Sequence, residues 1–310
     1  MKYLIIGSEG FLGKALCELL CHIPKAEIIK VDRTLPEEDS ISIARLKIDL
    51  ISDIHKLVSL CKKEKPSVIF NLAGTFSASS MQKMFELNCF APIRFLEAVA
   101  NQKFKVILVG SAAEYGITDR GKKASEDFAL RPISDYGISK ACQTFMALRF
   151  AIQKKFPNVV IARSFNIIGP GISGHLFFGA FAKQIVEIEN SIKPPIMRVG
   201  NLYSYRDILP VEKVVDCLKV LADYGRHGEV YNVCSGRPVQ IAAILRKLLK
   251  LSKDKIEIQA DRNKCKAIDI PWSVGDNAKI SQFINLTLND NDLNFCVEQT
   301  LNWFRDKFKK

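Results

Sequence analysis

The 310-residue chain has no run of 18 uninterrupted apolar residues, so a membrane-spanning helix is not expected. It has no Cys-x-x-Cys pair: nine cysteines, an odd number, are scattered, and the four histidines are equally dispersed. That spacing spells neither a zinc site nor a disulfide framework. No metal is therefore expected, and reduced thiols in a cytoplasmic protein are. The opening residues, MKYLIIGSEGFLG, start a strand within two positions of Met1 and lack the ordered basic, apolar and cleavage regions of a signal peptide. Repeats and low-complexity segments are also missing. Acidic residues are in short supply, 33 against 45 Lys+Arg, which leaves a net charge of +12. Such an excess favours anionic partners. Aromatics are not interleaved with the lysines as a single-strand nucleic-acid groove requires, so neither nucleic acid nor a membrane surface is expected, and phosphate-bearing small molecules remain. Hydrophobic residues at 48% and charged residues at 25% are globular proportions, which excludes a disordered chain.

What is present is an alternation of short apolar runs with longer helical stretches. Strands are predicted at 2–6, 27–31, 45–48, 67–73, 105–111 and 159–165, with helices at 11–21, 54–63, 81–100 and 136–155 between them. Such alternation predicts parallel strands with helices on both faces, a Rossmann-type doubly wound α/β sheet. Fully apolar runs such as VIF and VILV suit strands covered on both faces. After Gly169-Pro170-Gly171 the rhythm changes, with a helix near 176–190, short strands at 196–199 and 207–210, helix 211–223 and strand 229–234. Helix 238–250, strand 255–259 and a final helix 292–308 complete the chain. The expected organisation is a nucleotide-binding domain over 1–170, to which 211–234 returns, and a smaller interwoven α/β lobe from 171–210 and 235–310.

Gly7 to Gly13, GSEGFLG, lies between the first strand and the first helix. A glycine turn there lets backbone N–H groups and a helix N-terminus meet a pyrophosphate with no side chain in the way. Asp32 ends the second strand; a carboxylate there accepts the adenosine ribose hydroxyls and repels a 2′-phosphate. Arg33 follows and pulls the other way, so NAD(H) is expected to be preferred and NADP(H) tolerated. Asp49-Leu50 follows the third strand, where an acid can meet the adenine amino group or cap a helix. Ser111 ends the fifth strand, and Tyr136 and Lys140 in YGISK stand one helical turn apart on one face. A phenol with pKa about 10 needs a neighbouring ammonium to work near neutrality, and a serine hydroxyl can steady charge developing on a substrate oxygen.

These segments together resemble the extended short-chain dehydrogenase/reductases, the NAD-dependent epimerase/dehydratase family, that act on nucleotide-diphosphate sugars. The resemblance runs through GSEGFLG, NLAG (71–74), GSAAEYG (110–116), YGISK, RSFNIIGPG (163–171), RVGNLYSYRDILPV (198–211), YNVCSG (231–236) and DIPWSVGDNAKI (269–280). The last three segments most resemble GDP-4-keto-6-deoxy-D-mannose reductases. The resemblance implies catalytic roles for Ser111, Tyr136 and Lys140. It places the cofactor on Gly7, Gly10, Phe11, Leu12, Gly13, Asp32, Arg33, Asp49, Leu50, Leu72, Ala73 and Gly74, with Asn88 as the family's asparagine on the central helix. It assigns the substrate nucleotide and sugar to Ser111, Asn166, Arg206, Lys264 and Lys266. The two lysines replace arginines and lose bidentate phosphate geometry.

Two departures narrow the reaction. Sugar 4,6-dehydratases carry an Asp-Glu or Ser-Glu pair in the segment occupied here by Ala112-Ala113, and Glu114 comes one position too late, so water elimination is not expected. Relatives that also epimerise C3 and C5 use an added Cys and His, which Cys89, Cys142 and His175 do not match. Plain exchange between carbonyl and alcohol remains: reduction of the C4 ketone of an NDP-4-keto-6-deoxy-sugar, with a 4-epimerase or a non-catalytic dinucleotide sensor as the other readings. Relatives also imply a homodimer through helices 81–100 and 136–155, and Phe145 and Phe150 are read as apolar residues left over for it.

Overall fold

In the first strand, side chains alternate between two cores. Tyr3 and Ile5 of β1 (Lys2–Ile6) enter one apolar cluster while Leu4 and Ile6 enter another, so the strand is apolar throughout because both its faces are covered. The computed structural model describes residues 1–34, 44–153, 157–264 and 269–309. Along the first half run α1 (Phe11–Cys21), β2 (Glu27–Asp32), β3 (Ala44–Lys47), α2 (Ile54–Glu64), β4 (Val68–Asn71), α3 (Met81–Phe85), α4 (Ala91–Ala98), β5 (Lys105–Ser111), α5 (Asp135–Ile152) and β6 (Asn158–Ser164). There follow β7 (Asn166–Ile168), α6 (Phe177–Glu189), β8 (Ile196–Val199), β9 (Tyr205–Pro210), α7 (Val211–Tyr224) and β10 (Glu229–Val233). The chain ends with β11 (Pro238–Gln240), α8 (Ile241–Lys250), β12 (Glu257–Ala260), β13 (Trp272–Ser273) and α9 (Asp290–Phe308).

Among the described residues a seven-stranded sheet takes the order β10-β6-β5-β4-β1-β2-β3, with parallel ladders throughout. This is the doubly wound α/β sheet the sequence predicts. Helices α1 and α7 cover one face through Leu16, Leu20, Val214 and Leu218; α2, α4 and α5 cover the other through Leu57, Phe95, Leu96 and Ala147. Strand order reverses between β1 and β4, and the crevice beyond their carboxyl ends is where such sheets bind ligands. A third core joins α6, α8 and α9 to β7, β8 and β9 through Phe178, Ile185, Met197, Leu245, Val297 and Leu301. There β9 pairs with β7, β11 and β13, and β8 pairs with β12.

Three sequence expectations change. The single helix at 81–100 is interrupted by a π turn over Glu86–Phe90. Pro92, at the start of α4, has no N–H to return to the preceding turn, and a widened turn accommodates that loss. The helix placed at 238–250 begins at Ile241; Pro238 to Gln240 instead pair antiparallel with β9, Val239 opposite Arg206. Phe150 is not left over for a partner but buried at 2% exposure in the sheet core, whereas Phe145 is 58% exposed. The sheet-facing stripe of α5 runs through Ala147 and Phe150, and Phe145 falls on the opposite side.

Candidate active site

Gly7 adopts φ +83°, and a Cβ there would stand 2.8 Å from the Ala73 nitrogen. Its left-handed backbone and contact with the loop after β4 leave room for glycine alone. A Cβ on Gly13 would be driven into the Gly7 carbonyl oxygen, so α1 packs directly onto the turn that precedes it. Asp32 closes the rim: its carboxylate accepts from the Glu9 amide at 3.0 Å and the Thr34 amide at 3.1 Å. Asp49 accepts from the Ile51 and Ser52 amides at 2.7 and 3.3 Å and so braces its own turn, while the N-cap of α2 is Asp53.

These parts line a cleft of about 710 Å³. Of the residues expected to bind a cofactor, Gly7, Gly10, Asp32, Arg33, Asp49, Leu50, Leu72, Ala73 and Gly74 line it. Phe11 and Leu12 do not: a Cβ on Gly171 would touch Phe11 at 3.4 Å, and Leu12 packs against the first core. Glu9, Thr75, Ser77, Ser79 and Lys83 line the cleft as well and were missed, although TFSASS (75–80) is a run of small hydroxyl residues suited to a polar wall. The cradle fits a dinucleotide: a bare glycine turn leads into a helix N-terminus, with an acid held in place at the end of the neighbouring strand.

Asn88 acts from behind the cleft. Fully buried, its Oδ1 accepts from the Thr75 amide at 2.8 Å, and its Nδ2 donates to the Thr75 carbonyl at 2.8 Å and to Ser139 Oγ at 3.0 Å. It ties the loop after β4 to α5. Lys140, on α5, stands beside Gly74 of the cleft wall, its ammonium 3.6 Å from where a Cβ on Gly74 would lie. It donates to the Val109 carbonyl at 2.8 Å and to Gln143 Oε1 at 3.1 Å. Burial lowers its pKa from 10.5 to about 8, although the charges of Glu114 and Cys89 oppose the fall. Tyr136 stands one turn earlier, its phenol close enough to the Ser111 side chain to interact with it. Burial raises the phenol, the Ser111 side chain opposes that, and the Glu114 anion adds to it. Ser111 caps the turn after β5, accepting from the Ala113 amide at 3.2 Å. The three residues singled out in the sequence are thus gathered beside one another.

The residues expected to hold substrate lie in the smaller lobe and are more occupied. Asn166 Nδ2 donates to the Asp207 carbonyl at 2.9 Å. Arg206 donates to the Tyr205 and Ile270 carbonyls at 2.9 and 2.7 Å and pairs with Asp269 at 3.4 Å. Lys264 is exposed and donates to the Arg198 carbonyl at 3.0 Å; Lys266 lies outside the described residues. Asp207, not foreseen, is fully buried. Burial pushes its carboxyl up to about 6 against hydrogen bonds from Ser235, Gly275 and Gly236, and it knits β9 to the segments after β10 and β13.

Residues 3–234 match the NAD dependent epimerase/dehydratase family. The chain is 26% identical over 297 residues to a GDP-6-deoxy-D-talose 4-dehydrogenase of Aggregatibacter actinomycetemcomitans, covering 94% of this chain and 92% of that one. It is also 26% identical over 269 residues to a GDP-6-deoxy-D-mannose reductase of Pseudomonas aeruginosa, covering 84% and 83%. The solved structure of RMD from Pseudomonas aeruginosa, complexed with NADPH, superposes with a TM-score of 0.84 at 22% identity over 99% of this chain and all of that one. A UDP-glucuronic acid 4-epimerase from Bacillus cereus with NAD gives 0.85 at 21% identity over the same shares. The chain belongs to this family, the extended short-chain dehydrogenase/reductases, as an NAD(P)-dependent oxidoreductase. Among the described residues no helix is long and apolar enough to cross a membrane.

Proposed function

We propose that the protein reduces the C4 ketone of an NDP-4-keto-6-deoxy-sugar of the GDP-4-keto-6-deoxy-mannose type. The observation that carries this is the grouping of Ser111, Tyr136 and Lys140, with no free acid in the turn after Ser111 to expel water. Ala112 and Ala113 have no acid to offer, and the Glu114 carboxylate turns inward to Arg163 at 3.0 Å. When bound, NAD(P)H supplies the hydride that C4 receives. Tyr136 gives its phenolic proton to the carbonyl oxygen, which becomes the alcohol. The Ser111 hydroxyl donates to the same oxygen as charge builds on it. The Lys140 ammonium stabilises the phenolate left behind. The substrate relatives of this chain are named for GDP- and dTDP-6-deoxy sugars, and Asn166, Arg206, Lys264 and Lys266 are the residues we assign to the nucleotide and sugar.

The cofactor choice follows from Asp32 and Arg33. Asp32 is tied to two backbone amides and cannot swing from the rim, while the exposed Arg33 can. NAD(H) is the preferred cofactor in this reading and NADP(H) a tolerated one, by about 1–2 kcal/mol for one partly solvated charge contact. Incubation with a panel of NDP-4-keto-sugars and either NADH or NADPH tests both statements. Turnover is expected with one sugar, faster at low cofactor with NADH, and reduced about 10³-fold or more in Tyr136→Phe. Asp32→Ala should narrow the cofactor preference and Arg33→Ala widen it. Strong NADPH preference in the native protein would sink the cofactor reading.

The family likeness to a 4-epimerase supports a second reading, an NDP-sugar 4-epimerase. It predicts tightly retained NAD and interconversion of sugars with no net NAD(P)H consumption, and the same panel separates the two. A homodimer through α3, α4 and α5 accompanies either. Met81, Ile138 and Phe145 on those helices and Phe90 in the π turn between α3 and α4 are exposed, and a sedimentation mass of a single chain at micromolar concentration would contradict it.

A further inference from the structure

Glu114 is the turn residue that follows Ser111 by three positions, and its side chain is wholly buried. Its carboxylate reaches three elements at once. Oε1 accepts the Ser111 amide at the end of β5, at 2.7 Å. Oε2 accepts the Thr144 hydroxyl of α5 at 2.9 Å and the Arg163 guanidinium of β6 at 3.0 Å. Thr144 stands on the same stripe of α5 as Tyr136 and Lys140, at successive spacings of four residues. Gly110 makes the fold-back possible, because a Cβ there would lie 2.6 Å from Oε1. Every partner of the carboxylate is a donor, which favours its anionic form. Burial nonetheless raises the pKa of its acid form.

The clamp is itself anchored. Arg163 donates to the Tyr115 hydroxyl at 2.8 Å, which donates to Asn232 Oδ1 on β10 at 2.7 Å. Asn232 Nδ2 in turn donates to the Ala124 and Asp276 carbonyls at 2.9 and 3.1 Å. A single buried chain of hydrogen bonds thus runs from the Ser111 turn across β6 and β10 to the segment after β13. Breaking one partner of such a network leaves buried groups unpaired, so it tolerates one arrangement only.

We propose that Glu114 is a positioning residue: by holding the Ser111 amide and the Thr144 hydroxyl on one carboxylate, it sets the spacing between Ser111 and Tyr136. This rests on the reading of Ser111 and Tyr136 as the reacting pair. It also gives Glu114 a use other than the acid of water elimination, since its lone pairs are committed inward.

Thr144→Val is the cleanest test, because it cuts the α5 arm while leaving the Glu114–Arg163 pair and every charge in place. Two readouts apply. With the sugar panel, kcat is expected to fall roughly 10- to 100-fold with little change in KM, the scale of a misplaced reacting group, and Thr144→Ser should restore it. In the NAD⁺ complex, the phenolate absorbance step lost in Tyr136→Phe should move to higher pH in Thr144→Val, because the Ser111 hydrogen bond to the phenolate is weakened. The groups that bear on that step are Ser111 and Glu114 from the turn after β5 and Lys140 on α5 itself, and the substitution alters the charge of none. Glu114→Gln should lose more activity, but it leaves Arg163 buried without its counter-charge and can fail to fold, so Thr144→Val decides. An unmoved step with unchanged kcat in Thr144→Val would overturn the clamp alone. A native protein with no Tyr136-dependent step would overturn the catalytic pair, and the clamp with it.

Discussion

Lys140→Met is expected to lower turnover about 10³-fold while narrowing, and near neutral pH even reversing, the usual cost of a core substitution. The activity loss follows from the proposed chemistry: without an ammonium beside it, the Tyr136 phenolate is not stabilised, and acid–base assistance of this kind contributes 10²- to 10⁴-fold. The stability effect follows from burial. Lys140 titrates at about 8 in the folded protein against an ordinary 10.5. The gap corresponds to roughly 3 kcal/mol of penalty for keeping the charged form buried. The sign is that of a depressed lysine. Between about pH 8 and 10.5 the unfolded chain holds a proton that the folded chain has released, so native stability rises with pH across that window, and the penalty is in full force below it. Methionine removes the charge but leaves the Val109 carbonyl and Gln143 without the ammonium they now accept from, at about 1–3 kcal/mol. Denaturant unfolding of both proteins at pH 7 and pH 10.5 measures the difference. The native protein should gain roughly 3 kcal/mol on the variant between the two, and a pH-independent gap would refute the assignment. In the free native enzyme, kcat/KM for reduction should fall as pH rises through about 8, because both Lys140 and the phenol act in their protonated forms.

The glycine turn, Asp32 and the Ser111, Tyr136 and Lys140 set were legible because each rests on a local rule: a turn before a helix, an acid at a strand end, a four-residue spacing. The parallel sheet was legible for the same reason, since strands covered on both faces must be apolar throughout. What escaped depends on partners remote in the chain. Strand β11 is three residues long, and only its pairing with β9 distinguishes it from the start of a helix. Phe145 and Phe150 are both apolar and five residues apart, and only the packed sheet decides which of them faces inward. Glu114 comes one position too late for water elimination, and what it does instead is not visible until Arg163, 49 positions on, is seen beside it. Arg206 resembles a contact to the substrate nucleotide on sequence, but its tie to Asp269, 63 positions away, was not visible. A hydrogen bond between distant positions leaves no periodicity for a single sequence to display.

Gly13→Ala should be far more damaging than Gly10→Ala, although the two glycines belong to one motif. Gly10 caps α1 in an extended conformation at φ −70°, open to any residue, and a Cβ on it would lie 3.3 Å from the Gly7 oxygen, a contact relieved by a small shift. Alanine there should leave stability within about 1 kcal/mol of native and weaken dinucleotide binding, because the methyl stands where the backbone is to approach a pyrophosphate. Gly13 lies inside the helix, where alanine is ordinarily favoured over glycine by about 0.5–1 kcal/mol. That gain is outweighed because its Cβ would enter the Gly7 carbonyl and crowd the Ser8 backbone at 2.8 Å. Neither neighbour is a flexible side-chain end. Gly7 is itself held by its amide, which donates to the Val31 carbonyl at 2.9 Å, and by its contact with Ala73. The first turn of α1 must therefore lift off the sheet, loosening Leu16 and Leu20 from the core they share with Tyr3 and Ile5. Overpacking against backbone costs about 1–3 kcal/mol and sometimes more, and the displaced helix N-terminus would no longer face the cleft. Thermal unfolding together with NADH fluorescence titration separates the variants: Gly13→Ala should lose about 3 kcal/mol of stability and tenfold or more in NADH affinity, whereas Gly10→Ala should lose affinity alone. Equal stability in the two variants would show that the helix is not packed on the turn in this way.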